Sequence, residues 1–311
     1  MLTVFLQTLP FFALVGLGYG AVRTGIFNAE AAAALTRFVF YFALSALLFR
    51  FAAELSLARI LDWTLVRAYV AATLAVYLLA TGVAVARGCG LGETAVEAQC
   101  AVIGNTGFLG IPLLVSLLGD GAAGPVLLIL SVDLLLFSTL IVVLITLDRD
   151  RALTPRLLRQ VGLGLVSNPM IVAIAAGLAW SAAGWPLPAP VLSFLTTLGA
   201  AATPGALVAI GASLAGRSAE RLAVAGWLSL CKLVLHPAAV ALAAGVLFPV
   251  SPQAFPVVVA AAALPVAGNV YILAQHYGVA PHRASTAILV STIVSVASLP
   301  AVMALVEGRA P

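Results

Sequence analysis

Charge is scarce in this chain. Asp, Glu, Lys and Arg make up 8% of the 311 residues, against about 25% in an ordinary soluble domain. Lys232 is the only lysine, and the arginines are scattered at the ends of apolar stretches, so no basic patch for a nucleic acid is present. Cysteine is equally sparse. Cys89, Cys100 and Cys231 are odd in number and lack ligand or redox spacing, so no disulfide framework or zinc site is expected and each reads as a small buried hydrophobe. His236, His276 and His282 show no metal-ligand spacing either. Neither a Ser/His/Asp set nor an HExxH motif occurs, which argues against an enzyme. Gly16, Gly18 and Gly20 miss the dinucleotide spacing, and the Gly16/Gly20 pair suits close helix packing better. No metal and no cofactor are therefore expected.

What fills the chain instead is hydrophobic sequence, 63% of its residues. About 20 apolar residues cross a bilayer, and hydropathy places spans near 2–22, 35–55, 61–86, 95–118 and 125–147, then 161–183, 191–215, 222–248, 255–277 and 284–306. This predicts an all-α membrane protein of ten transmembrane helices. The stretch 2–22 has no basic region before it and exceeds a signal-peptide core, so it reads as a retained helix. Between the two sets lies the strongly charged connection 148–160, with Arg149, Arg151, Arg156 and Arg159. Alternating loops put those four with Arg23, Arg37, Arg87, Arg217, Arg221 and Arg283, and leave Arg50, Arg59, Arg67 and Arg309 opposite. The positive-inside rule then makes 148–160 cytoplasmic and both termini external.

Two spans cannot be regular. Gly104-Asn105-Thr106-Gly107-Phe108-Leu109-Gly110-Ile111-Pro112 and Leu264-Pro265-Val266-Ala267-Gly268-Asn269 each place glycine, proline and asparagine at mid-membrane. An interior proline costs a helix about 3 kcal/mol and a glycine about 1. In hydrocarbon such a break is tolerated only where protein or a polar cavity satisfies it. The breaks fall in spans four and nine, and Pro10 to Ser45 and Pro169 to Pro204 have the same separation, so 1–147 and 161–311 read as two five-helix repeats. Five is odd, so the repeats are inverted, and interrupted helices in matching positions point to a transporter site near the midplane.

At these two stretches the chain resembles the auxin efflux carrier family, which includes the plant PIN carriers and bacterial carriers of malonate or malate. The segment Asn105 to Leu113 is similar to the family's most recognisable motif, and Leu264 to Asn269, Gln275 to Gly278, Ser285-Thr286, Asn168-Pro169, Pro204, Gly211 to Leu214, and Lys232 with Pro237 fit its second half. Ser45 departs from it, standing where the family usually has a proline. The resemblance implies a fold like that of sodium/proton antiporters and bile-acid transporters. Helices 1, 2, 6 and 7 would form a scaffold, often dimeric, and helices 3–5 and 8–10 a transport domain moving as an elevator. It also implies a small organic anion, such as a dicarboxylate or an auxin-like acid, as substrate.

From the residues themselves, Asn105, Thr106 and Gly107 on one crossover and Gly268 and Asn269 on the other are the candidates for substrate binding, framed by Gly104, Gly110, Pro112 and Pro265. Half-helices meeting tip to tip aim their N-terminal amides at one point and can hold a carboxylate without a buried cation. Asp133 inside span five and Lys232 inside span eight are candidates for ion coupling, to H+ or Na+, or for charge pairing with each other. A sodium/proton antiporter using Asp133 is the competing reading, and a receptor or intramembrane enzyme a further one. The arginine-rich composition suggests a bacterial inner membrane.

Overall fold

The computed structural model describes residues 2–54, 62–150, 159, 162–163, 166–215 and 222–307. Helix α1 spans Leu2–Arg23 with Pro10 inside it. Asn28 then caps α2, Ala29–Phe38, by accepting from the Ala31 amide at 2.8 Å. A π turn, Val39–Ala43, carries α2 into α3, Leu44–Glu54. Asp62 caps α4, Trp63–Ala86, through the Thr64 and Leu65 amides. Next come α5, Leu91–Val102, and, after a π turn Thr106–Gly110, α6, Ile111–Leu118. Helix α7, Ala123–Val132, joins α8, Ser138–Asp150, through the π turn Asp133–Phe137.

In the second half Asn168 caps α9, Pro169–Ala182, with the Met170 amide 3.0 Å away. Helices α10, Ala189–Ala200, and α11, Ala202–Ala215, follow almost continuously. Helix α12, Leu222–Leu230, passes through the π turn Cys231–Leu235 into α13, His236–Leu242, which ends in another, Ala243–Leu247. Last come α14, Ala254–Ala262, α15, Gly268–Tyr277, and α16, Pro281–Glu307. Gly278 (φ 69°) ends α15 in the left-handed conformation a helix C-cap favours. Among the described residues all regular structure is helical except a single antiparallel bridge, Gly104 to Val266.

Among the described residues six stretches are long and apolar enough to cross a bilayer: Ala29–Glu54, Trp63–Ala86, Asp120–Arg149, Ala189–Ala215, Leu222–Leu247 and Pro281–Val306. Shorter apolar helices lie at Leu9–Arg23, Thr106–Leu118 and Pro169–Ala182. Large apolar side chains such as Leu78, Val246 and Ile293 face outward, as lipid contact requires. The molecule is an all-helical membrane protein.

Boundaries shift in places. Helix α8 takes in 148–150 of the expected loop 148–160, and 151–158 and 160 lie outside the described residues, as do Arg59, Arg217, Arg221 and Arg309. Pro10 and Pro169, matched by spacing, do different work: Pro10 is inside α1, whereas Pro169 opens α9, where its missing N–H costs nothing. Ser45 needs no proline to disturb its helix, since it follows the π turn Val39–Ala43 and bonds back to the Phe40 carbonyl at 3.1 Å.

Helix α1 packs closely on α11, and α3 on α9 and α10. Glycine sets both approaches. A Cβ on Gly18 would overlap the Val208 backbone, one on Gly211 the Val15 carbonyl, and one on Gly177 would lie 2.6 Å from the Phe49 carbonyl oxygen. Gly16 and Gly20 meet nothing within 4 Å, so the packing glycine of α1 is Gly18.

Candidate functional site

Two helices stop inside the molecule and restart a few residues later, with their gaps side by side. Helix α5 ends at Val102, Ile103 is extended, Asn105 takes φ −76° and ψ 54°, and helix resumes at Thr106. Helix α14 ends at Ala262 and helix resumes at Gly268 after an extended Ala267. The Asn105 amide donates to the Pro265 carbonyl at 2.8 Å and the Ala267 amide to the Ile103 carbonyl at 3.0 Å, around the Gly104–Val266 bridge. Each break thus supplies partners that the other's backbone loses, which is what an apolar surrounding demands.

The proline and glycine positions follow from that geometry. Pro112 lies in the first turn of α6, where no amide is needed, and Pro265 takes part in the crossing through its carbonyl. Gly104 is closely packed: a Cβ there would sit 3.2 Å from the Ala261 carbonyl oxygen and 3.3 Å from Lys232 Cε, tight enough that a neighbour would have to give. A Cβ on Gly110 would press on Leu264 Cδ1, and one on Gly107 on Met170 Cε, each at 2.5 Å. Gly268 faces open space.

Asn105 is 7% exposed, and its carbonyl accepts from the Leu109 and Gly110 amides at 3.0 and 2.9 Å, which opens the π turn. Thr106 is buried beside it. Asn269, in the first turn of α15, is half-buried with an Oδ1 that has no hydrogen-bond partner among the described residues. Two helix breaks, each with an asparagine and a helix N-terminus, are therefore joined at one backbone crossing.

A buried polar cluster adjoins it. Tyr69 of α4 donates its hydroxyl to Asp133 Oδ1 at 2.8 Å, and Thr106 and Lys232 lie within electrostatic reach of the same carboxyl. Asp133 Oδ2 has no hydrogen-bond partner among the described residues. Lys232 Nζ donates to the Ala262 carbonyl, the last of α14, and sits 3.2 Å from His236 Nδ1. His236 Nε2 in turn lies 3.0 Å from Thr73 Oγ1. Thr106 and Asp133 each open a π turn, and Lys232 is the second residue of another. A π turn inserts one residue and re-aims side chains, a device frequent at functional sites.

The model for membrane transport proteins, the auxin efflux carrier family, matches residues 3–303 of the chain. The chain belongs to this membrane transport protein family. It is also 31% identical, over 97% of its own length and 95% of the other's, to a protein of Rhizobium meliloti (strain 1021) named "Putative malonate transporter". Both comparisons indicate a transporter rather than an enzyme.

One part of this family member was not singled out from sequence. Glu97 of α5, with no exposed surface, pairs with Arg87 and with Arg283 Nη1, the latter at 2.6 Å. Arg283 also reaches Glu93 Oε2 at 3.0 Å and Cys89 Sγ at 3.2 Å, so the start of α16 is tied to α5 and to the turn before it. The signal was present, because Glu97 is an acid inside an apolar stretch just as Asp133 is. Gln99, one turn before the break, is also buried, and both its amide atoms lack a partner among the described residues. Cys100 and Cys231 are buried and Cys89 is half-buried, all three as free thiols.

Proposed function

We propose that the chain is a secondary carrier of small organic anions of the dicarboxylate class, with malonate the first compound to test. The observation that carries this reading is the pair of opposed helix breaks, each with an asparagine, bonded to each other through Asn105 and Pro265. Helices beginning at Thr106 and Gly268 bring roughly half a positive charge each to the crossing. Asn105, Thr106, Gly107, Gly268 and Asn269 would hold the carboxylate there. The relative's name supports malonate as the probe.

In this reading the chain is ten helices in two inverted repeats, 1–147 and 161–311, joined by a cytoplasmic connection. Helices α1, α2–α3, α9 and α10–α11 form the scaffold and the others the moving transport domain. The reciprocal packing of α1 on α11 and α3 on α9 supports the grouping. The scaffold would also be the homodimer surface, with both termini external to a bacterial inner membrane. Substrate drives an elevator movement only through unequal affinity for the two access states.

The test is Asn105→Ala in proteoliposomes. It is expected to abolish malonate counterflow while the protein still inserts and purifies as a folded species. Wild-type counterflow in that variant would remove the crossover as the site. One observation favours a second reading, cation/proton exchange through Asp133: its Oδ2 is buried and without a hydrogen-bond partner among the described residues, beside Thr106. Cation-dependent proton movement in vesicles free of any organic anion would select that reading.

A further inference from the structure

A cavity of about 270 Å³ lies between α3, α10–α11 and α6. Pro112 and Ser116 of α6 form one side; Arg50 of α3, Thr196 and Ala200 of α10, and Thr203 of α11 contribute to the other. Most of the remaining lining is apolar, so Arg50 is the cation of an otherwise uncharged chamber. Its Nη1 donates to Thr196 Oγ1 at 3.2 Å, and its guanidinium lies 5.1 Å from the Phe51 ring centroid. Its Nε is buried without a hydrogen-bond partner among the described residues; Glu54 Oε2, one turn on, stops at 3.6 Å. A guanidinium carries five N–H donors in a planar fork that fits a carboxylate with two parallel bonds. Here that fork is oriented by Thr196 and under-used. The Glu54 contact is a partly exposed pair within one helix, a weak kind of contact that an incoming carboxylate can replace.

Size and place narrow the ligand. The volume falls below the roughly 300–1,000 Å³ of pockets that take drug-sized molecules, so it suits a compound of a few carbons. Ile111 also lines the cavity and stands six residues after Asn105. Five of those six form the π turn Thr106–Gly110, and neither Asn105 nor Asn269 lines the cavity, so the two places do not share their polar residues.

We infer that this cavity is a second anion site, distinct from the crossover, that takes a small dicarboxylate with Arg50 as the carboxylate-binding residue and the wall hydroxyls of Ser116, Thr196 and Thr203 around it. This rests on the carrier reading above, in which α3, α10 and α11 are scaffold and α6 moves. The site therefore lies on the seam that the movement shears. A carboxylate held there favours the access state in which both walls are in place and raises the supply of substrate to the crossover.

The experiment uses the full chain, radiolabelled malonate in proteoliposomes, and calorimetric titration of malonate into purified protein. Arg50→Gln is expected to raise the transport KM for malonate at least tenfold, and Arg50→Lys, which keeps charge without the fork, to fall between. Ala200→Phe, which fills the chamber from its wall, should reproduce the rise even if Arg50→Gln fails to fold. Asn105→Ala should lose transport yet keep weak malonate binding, which adding Arg50→Gln removes. A wild-type KM in both Arg50→Gln and Ala200→Phe, or unchanged binding in Asn105→Ala/Arg50→Gln, overturns the second site and leaves the carrier intact. Transport that survives Asn105→Ala strikes the carrier reading instead.

Discussion

Whether Asp133 and Lys232 act as a pair can be decided by a double-mutant cycle. Lys232→Met removes the Nζ that donates to the Ala262 carbonyl and touches His236, and it takes a cation from beside Asp133, which is 2% exposed. Removing one partner of a buried pair costs about 3–5 kcal/mol, whereas replacing both by neutral groups is often close to neutral. The single Lys232→Met is therefore expected to lose about 4 kcal/mol. Asp133→Asn keeps an acceptor for the Tyr69 hydroxyl at 2.8 Å and should lose about 2 kcal/mol. The double variant should lose about 3 kcal/mol, because the orphaned Ala262 carbonyl remains but the unmatched charge does not. At roughly 2 °C per kcal/mol for a chain of this size, the melting midpoints fall by about 8, 4 and 6 °C. Tryptophan fluorescence in detergent at one fixed scan rate ranks them, since such unfolding is commonly irreversible. A double variant that falls by about 12 °C, the additive sum, refutes the pair and reduces Lys232 to a cap on α14.

Two further substitutions test the packing and the ion cluster. Gly211→Ala puts a methyl into the Val15 carbonyl, backbone that cannot yield without moving α1, and should cost about 3 kcal/mol. Gly16→Ala enters open space and should be neutral or stabilise by up to about 1 kcal/mol; the reverse order in a melting assay would sink the assignment of Gly18 and Gly211 as the packing pair. Arg283→Ala leaves Glu97, which has no exposed surface, with Arg87 alone, for a loss of about 3 kcal/mol that Glu97→Gln in the same chain should partly restore. A melting midpoint unmoved by Arg283→Ala would make the cluster a solvated surface feature.

The breaks were legible in the sequence because their cause is local: proline and glycine disfavour helix wherever they stand, and Gly104 to Pro112 and Pro265 to Gly268 carry both. What bonds to what across them was not, because the antiparallel contact of Asn105 with Pro265 joins residues from opposite halves of the chain. The π turns have no compositional mark; Val39–Ala43 reads as ordinary apolar helix. Gly18 rather than Gly16 or Gly20 meets α11, because which face of α1 is covered depends on its neighbour and not on glycine spacing. Asp133 and Lys232 stood out as charges in apolar surroundings, with His236 one helical turn on from Lys232, but Tyr69 and Thr73 joined them only once α4 was packed on α13.

The cluster around Asp133 also bears on how an anion could be held nearby. It contains one carboxyl and one amine, and they stand on elements that meet the crossover: Lys232 Cε lies against the Gly104 backbone and Thr106 faces the Asp133 carboxyl. Counted formally, the two side chains cancel. The positive potential at the crossing is then left to the helix N-termini at Thr106 and Gly268, whose partial charges are fixed by backbone direction. On the carrier reading such a site would attract a carboxylate without gripping it as a full buried cation would, and a carrier must release what it binds. In the proposed division Arg50 stands at the seam, its side chain partly exposed and paired with Glu54. On the carrier and second-site readings, Arg50 would gather the anion at the approach once the Glu54 contact gives way, and the weaker charge at the crossing would let it go.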